Sequence, residues 1–222
     1  MLRILLGKRI KTEDKEVLQS ELNFSLENPR VFTIVRNLEK EPTQKKIFEI
    51  MSKMDHVKEL KKDIKSKGGL IEPIIVKKDT NEVVDGNRRL AAYRLLYHED
   101  PVRWANICCE ILPTSVTDDQ IFDLIVKLNP RGKKKWDPFE KAGFLWRLNK
   151  EEKKSIAEIK TELGLAPFIV KSHLETYQFM LDHNLTDKSQ YSHLLLLRKN
   201  KHIKKFKKDF DEWVVTQIKK DI

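Results

Sequence analysis

Cysteine is nearly missing from this chain: 222 residues hold only Cys108 and Cys109, side by side. Adjacent residues of an extended segment point to opposite faces, so neither a disulfide framework nor a zinc knuckle follows. Burial in a strand is the expectation for both, as core residues rather than reactive thiols. Long apolar runs are missing too. Nothing approaches the roughly 20 residues that span a bilayer, and Met1–Ile10 is too short, and in the wrong order, for a secretory signal. A cytoplasmic protein with no membrane partner is expected. His173, His183, His193 and His202 lack metal-ligand spacing, so no metal centre built by the protein alone is expected. There is no internal repeat and no low-complexity segment.

Acid is also in deficit, with 34 Asp and Glu against 44 Lys and Arg, a formal charge of +10. Such a surplus attracts polyanions, although a lysine-rich solvated surface accounts for the charge equally well. Hydrophobic residues make up 40% of the chain, enough for a core in one domain or two small ones.

The apolar pattern places the elements. Asn28-Pro29-Arg30 followed by Val31–Val35 reads as a turn into a strand. From Thr43 to Lys67, apolar residues recur at steps of three and four, which predicts helix with a break near Asp55. Gly68-Gly69 stops it. Leu70–Lys77 and Val83-Val84 read as strands around an Asp79–Asn81 turn. Helix formers follow from Leu90 to Tyr97. Asn106–Leu112 reads as a strand and Asp118–Leu128 as a helix, broken by Asn129–Lys135. Beyond that the chain reads as helical throughout.

The sharpest local feature is Gly86-Asn87-Arg88-Arg89, set between a strand and a helix. A glycine there admits close backbone approach, and the unpaired N–H groups and dipole of a helix start favour an anion. Arginines in the first turn add forked donors suited to phosphate. A solvated helix start with ordinary surface arginines fits the local pattern as well.

The run Gly69-Leu70-Ile71-Glu72-Pro73-Ile74-Ile75-Val76, a hairpin, and Gly86-Asn87-Arg88-Arg89-Leu90-Ala91-Ala92 together resemble the ParB family, which shares its fold with sulfiredoxin. That family carries "G-L-x-x-P-I-x-V" and then "G-E/H-R-R-x-x-A", after an opening "N-P-R" that Asn28-Pro29-Arg30 resembles. The resemblance implies that Gly86, Arg88 and Arg89 contact a nucleoside triphosphate, CTP or ATP, and that Ala92 packs the helix on the sheet. Asn87 stands where the family has an acidic residue or histidine, and is included with the nucleotide-binding set. Asn129 and Arg131 match the family's "E-N-x-x-R" in part, with Asn129 near nucleotide-bound Mg²⁺, and Asp137–Ala142 keeps the Pro, Glu and Ala of "P-x-E-x-A". The sulfiredoxin cysteine is replaced by Asn87, which removes thiol chemistry from this turn.

Ser155–Met180 resembles a helix-turn-helix, with Gly164 at the turn, Val170 as the interior contact of the second helix and Pro167 in its first turn. Lys160 stands where such motifs prefer a small residue, because the helices approach closely there. Phe168, Lys171 and Ser172 are the groove-facing candidates for DNA, and Lys133, Lys134 and Lys135 the candidates for its backbone. An αα packing unit without a ligand fits the same pattern.

The expectation is an α+β protein: a ParB/sulfiredoxin-like nucleotide-binding domain over 1–132, a small mixed sheet with helices, and an all-α, helix-turn-helix-like DNA-binding domain over 133–222. Nucleotide with Mg²⁺ would gate DNA binding or self-association, with a homodimer left open, and any triphosphate hydrolysis would be slow. Two other readings stand beside it. One is a ParB-fold nuclease or phosphohydrolase, with Glu82 and Asp85 as its nearest carboxylates; the other is a protein-binding adaptor with a degenerate nucleotide site.

Overall fold

The computed structural model describes residues 1–26, 28, 31–32, 42–131, 137–185, 187–200 and 207–220. The chain divides into two units, 1–135 and 136–222.

The first unit is built on a five-stranded sheet. Its strands are β3 (Glu13–Leu18), β4 (Asn23–Phe24), β5 (Ile74–Lys77), β6 (Glu82–Asp85) and β7 (Asn106–Leu112), in the order β3-β7-β5-β6-β4. The β3–β7 and β5–β6 pairs are antiparallel, and β5–β7 and β4–β6 parallel. The β-branched run Ile74-Ile75-Val76 is buried on both faces, as expected of a central strand. A separate hairpin, β1 (Leu2–Leu5) and β2 (Lys8–Lys11), precedes this sheet; the sequence pattern did not announce it.

Helices α1 (Gln44–Ser52) and α2 (Asp55–Lys67) are parted at Lys53-Met54, next to the predicted break. Thr43 caps the first, its hydroxyl accepting from Lys46 N–H, and Gly68, at φ 75°, closes the second. Helix α3 (Asn87–Tyr97) follows β6 directly. Its Leu90, Ala91, Ala92 and Leu96 share one core with Ile47, Met51, Val57, Ile64, Ile74, Val76 and Val83. Arg94, in the same helix, lies 4.7 Å over the Phe24 ring and donates to the Leu22 carbonyl at 2.6 Å. Burial lowers its pKa from the ordinary value.

Three expectations are corrected. Val31 and Phe32 are helical, and Phe32 N–H donates to the Asn28 carbonyl, so the β-branched run begins with a helical turn; 33–35 lie outside the described residues. Helix α4 (Asp118–Arg131) runs through Asn129 and Pro130. Proline costs a helix its own N–H bond and crowds the turn before it, yet Pro130 lies within the described helix. Finally, Cys109 is buried but Cys108 is exposed, because alternation puts the two on opposite faces of β7.

The second unit is all helical: α5 (Pro138–Lys150), α6 (Ile156–Leu163), α7 (Pro167–Asp182), α8 (Tyr191–Lys199) and α9 (Lys207–Lys220). Phe139, Ala142, Tyr177, Met180, Tyr191, Leu194 and Val214 form its core. Asp137 and Glu140 make a capping box at the start of α5, with Pro138 at its first position.

Candidate functional site

The turn from β6 into α3 is fixed from three sides. Gly86 has φ 104°, and a β-carbon there would clash with Ile74 Cγ2 and lie 2.9 Å from Ile74 Cβ. Both the left-handed backbone and the neighbouring strand demand glycine.

Asn87 is buried at 3% exposure. Its Oδ1 accepts from Ser25 N–H at 3.0 Å and its Nδ2 donates to the Val83 carbonyl at 2.7 Å. One amide therefore ties the helix start to the chain after β4 and to β6. Beside it, Asn28 Nδ2 donates to the Val84 carbonyl at 3.1 Å.

Arg89 points inward as well. Its Nη1 donates to the carbonyls of Glu72 and Pro73 at 2.7 and 3.0 Å, and its Nη2 to Asp85 Oδ2 at 2.6 Å. The guanidinium thus bolts the Gly86 turn to the loop before β5.

The electrostatics of the turn are one-sided. Glycine gives α3 no side-chain cap, and its first turn holds no acidic residue. A helix start carries about half a positive charge and disfavours cations by roughly 0.3–1 kcal/mol each. Arg88 and Arg89 add two, and the Asp85 carboxylate offsets one of them. A helix start with no side-chain cap and no acidic residue in its first turn is suited to an anion with several oxygens.

The family model of the ParB N-terminal domain matches residues 26–109, which contain every part of this turn. Residues 26–109 are a ParB N-terminal domain. No curated protein matches the chain. Solved structures similar to it include the following three. The C-terminally truncated chromosome-partitioning protein ParB from Caulobacter crescentus, complexed with CTP-γ-S, is 14% identical, with 89% of this chain and 98% of that one covered and a TM-score of 0.33. The same protein complexed to the centromeric parS site is 12% identical, covering 91% and 95%, with a TM-score of 0.41. A Pnob8-like ParB-N domain is 14% identical, covering 83% and 79%, with a TM-score of 0.49. The assignment rests on the sequence match over 26–109.

Within the ParB-type domain, the four turn residues expected at the site divide by role. Gly86, Asn87 and Arg89 spend their backbone freedom, amide and guanidinium on internal contacts. Arg88 lies partly exposed in the first turn of α3. Asp85, a carboxylate considered for a nuclease, is engaged by Arg89. Asn129 and Arg131 fall in the last turn of α4, and their side chains lie outside the described residues, as do Lys133, Lys134 and Lys135 altogether. Sequence reasoning did not find Ser25, or the carbonyls of Glu72 and Pro73, as partners of the turn. A backbone group carries no side-chain signal, and Asn87 was expected with the nucleotide rather than in an internal bond.

In the helical unit, Ser155 and Glu158 form a capping box on α6, and Gly164, at φ 64°, ends it. Ile159 and Val170 are fully buried, while Lys160 is exposed, so it does not obstruct the packing of α6 on α7. Phe168 is 67% exposed. Lys171 is exposed, with Glu175 3.9 Å away. The Ser172 hydroxyl donates to the Phe168 carbonyl at 2.7 Å, which leaves its oxygen free to accept. These three side chains start the exposed face of α7.

Among the described residues, no cluster of His, Cys, Asp and Glu could hold a metal ion, and no helix is long and apolar enough to cross a membrane.

Proposed function

We propose that this chain is a ParB-like DNA-binding protein whose DNA binding or self-association is gated by a nucleoside triphosphate, CTP or ATP, bound with Mg²⁺ at the start of α3. The observation that carries it is the Gly86–Arg89 turn: an uncapped helix start with two arginines in its first turn, inside a matched ParB N-terminal domain. Arg88 supplies charge for the phosphates, and the amides after Gly86 supply fixed donors. Arg89 acts as a positioning residue, because its bonds to Glu72, Pro73 and Asp85 hold the turn in shape. Asn129 and Arg131 would complete the phosphate side, with Asn129 toward the Mg²⁺. Phe168, Lys171 and Ser172 at the start of α7, with Lys133–Lys135, would meet DNA in the helix-turn-helix manner. The helix–Gly164–helix geometry and the exposure of Phe168 and Lys171 support that role.

Calorimetry with CTP, ATP and GTP plus Mg²⁺, with and without duplex DNA, tests the reading on the full chain and on Arg88→Ala. Saturable binding of one nucleotide, lost in Arg88→Ala while the circular dichroism spectrum is unchanged, is expected. No binding of any of the three under either condition overturns it.

A further inference from the structure

The N-terminal hairpin presents a feature that the nucleotide turn does not use. Met1 and Thr12 exchange both backbone bonds, each 2.9 Å. Antiparallel alternation then makes Arg3 with Ile10, and Leu5 with Lys8, the bonded pairs. The backbone N–H and C=O groups of Arg9 and Lys11 therefore face away from β1. No strand among the described residues lies beyond them, since this sheet has only two strands.

The side chains here are equally unusual. Leu5 is buried and Arg3 reaches Glu110 as a two-pronged ion pair at 2.5 Å, so that face of the hairpin is anchored to β7. The alternate residues Leu2 and Ile4 are 58% and 60% exposed. At the tip, Leu6 has φ 47° and is 56% exposed. A left-handed turn residue is ordinarily Gly, Asn or Asp, and a leucine there carries strain of about 1–2 kcal/mol. Its N–H is held by Asp123 Oδ2 at 2.9 Å, which fixes the strained turn with its side chain in water. Lys8, Arg9 and Lys11 are all exposed and make no ion pair among the described residues. Cations on an edge strand guard against edge-to-edge pairing with a like edge, and Arg9 and Lys11, on one face of β2, leave it open to a strand of opposite charge.

We propose that the outer edge of β2 receives an extended segment of a partner protein as an added third strand, and that this segment is acidic and apolar. Strand addition supplies main-chain bonds from Arg9 and Lys11. Alternation sets the carboxylates of the incoming segment on the face of Arg9 and Lys11, and its apolar residues on the opposite face, beside the half-buried Ile10. A second copy is a poor occupant, because β2 against β2 sets like charges opposite one another.

The test uses the full chain and two labelled ten-residue probes, one alternating Glu and Val, the other Lys and Val. Fluorescence anisotropy is expected to show binding of the Glu peptide at least tenfold tighter than the Lys peptide, with NMR shifts and slowed exchange at the Arg9 and Lys11 amides. Arg9→Gln keeps the N–H and Arg9→Pro removes it from an edge position that tolerates proline. The Glu peptide should bind Arg9→Gln within about threefold of wild type and Arg9→Pro at least tenfold more weakly, with the melting temperature of both variants confirming the fold. Equal binding of the two peptides, equal effects of the two variants, or undisturbed Arg9 and Lys11 amides overturns the proposal. So does sedimentation with anionic phosphatidylserine vesicles, or self-association abolished by Lys8→Glu with Lys11→Glu, in place of peptide binding.

Discussion

Gly86 lies against Ile74 of the neighbouring strand with no room for a β-carbon between them. The glycine of the Gly-Asn-Arg-Arg turn thus serves the packing of β6 on β5 before it serves any ligand. Gly86→Ala must adopt a left-handed backbone at about 1–2 kcal/mol and overpack the sheet at about 1–3 kcal/mol. A loss of roughly 2–5 kcal/mol is expected in urea unfolding, with Gly69→Ala, where a β-carbon meets nothing within 4 Å, as the mild comparison.

The two arginines of the turn should separate in their effects. Arg89→Ala removes three donations and leaves the Asp85 carboxylate, itself partly buried, without its cation. A stability loss of about 2 kcal/mol is expected. Arg88→Ala should instead abolish nucleotide binding with the circular dichroism spectrum unchanged. Retained nucleotide binding in Arg88→Ala would contradict this division.

Asn87 stands where the resemblance of the turn leads to an acidic residue or histidine, yet its amide both donates and accepts. Asn87→Asp retains the acceptor for Ser25 N–H but turns a carboxylate oxygen toward the Val83 carbonyl. A buried acceptor facing an acceptor costs about 2–4 kcal/mol, so restoring the family's charge should weaken this protein. Thermal unfolding at pH 7 measures it.

His173 gives the helical unit an acid sensitivity. It is buried, 2.7 Å from the Tyr191 hydroxyl through Nδ1. Burial first, then Lys141 and Lys199, lowers its pKa from 6.5 to about 4. The unfolded chain takes up the proton first, so stability falls as the pH drops from about 6.5 to about 4. The loss is about 3 kcal/mol when complete. Above pH 7 the histidine contributes no pH dependence. Urea midpoints at pH 7.0 and 4.5 should differ less in His173→Gln than in wild type.

Periodicity and turn chemistry made much of the fold legible. The helix-strand-hairpin-strand-helix run from Thr43 to Tyr97 could be read because apolar spacing, Gly68-Gly69 and Asp79–Asn81 all agree. Gly164 marked the end of a helix in the same way. The N-terminal hairpin was not legible, because Leu6-Gly7 is not a favoured turn pair and Arg3-Ile4 and Arg9-Ile10 blur the alternation. At the site, the turn was found from its residue types, but their uses were not. An arginine in a first turn looks the same in sequence whether it faces a phosphate or, like Arg89, a pair of backbone carbonyls.

The grip of Arg89 on Glu72 and Pro73 also bears on how this domain can be rebuilt. The two sequence boxes are mechanically one part, since the side chain of the second is seated in the backbone of the first. A chimera that exchanges 86–92 alone with a relative inherits a guanidinium whose seat was shaped for another loop. Exchanging 69–76 and 86–92 together keeps bolt and seat matched, and is the smaller unit in which this turn can be transplanted.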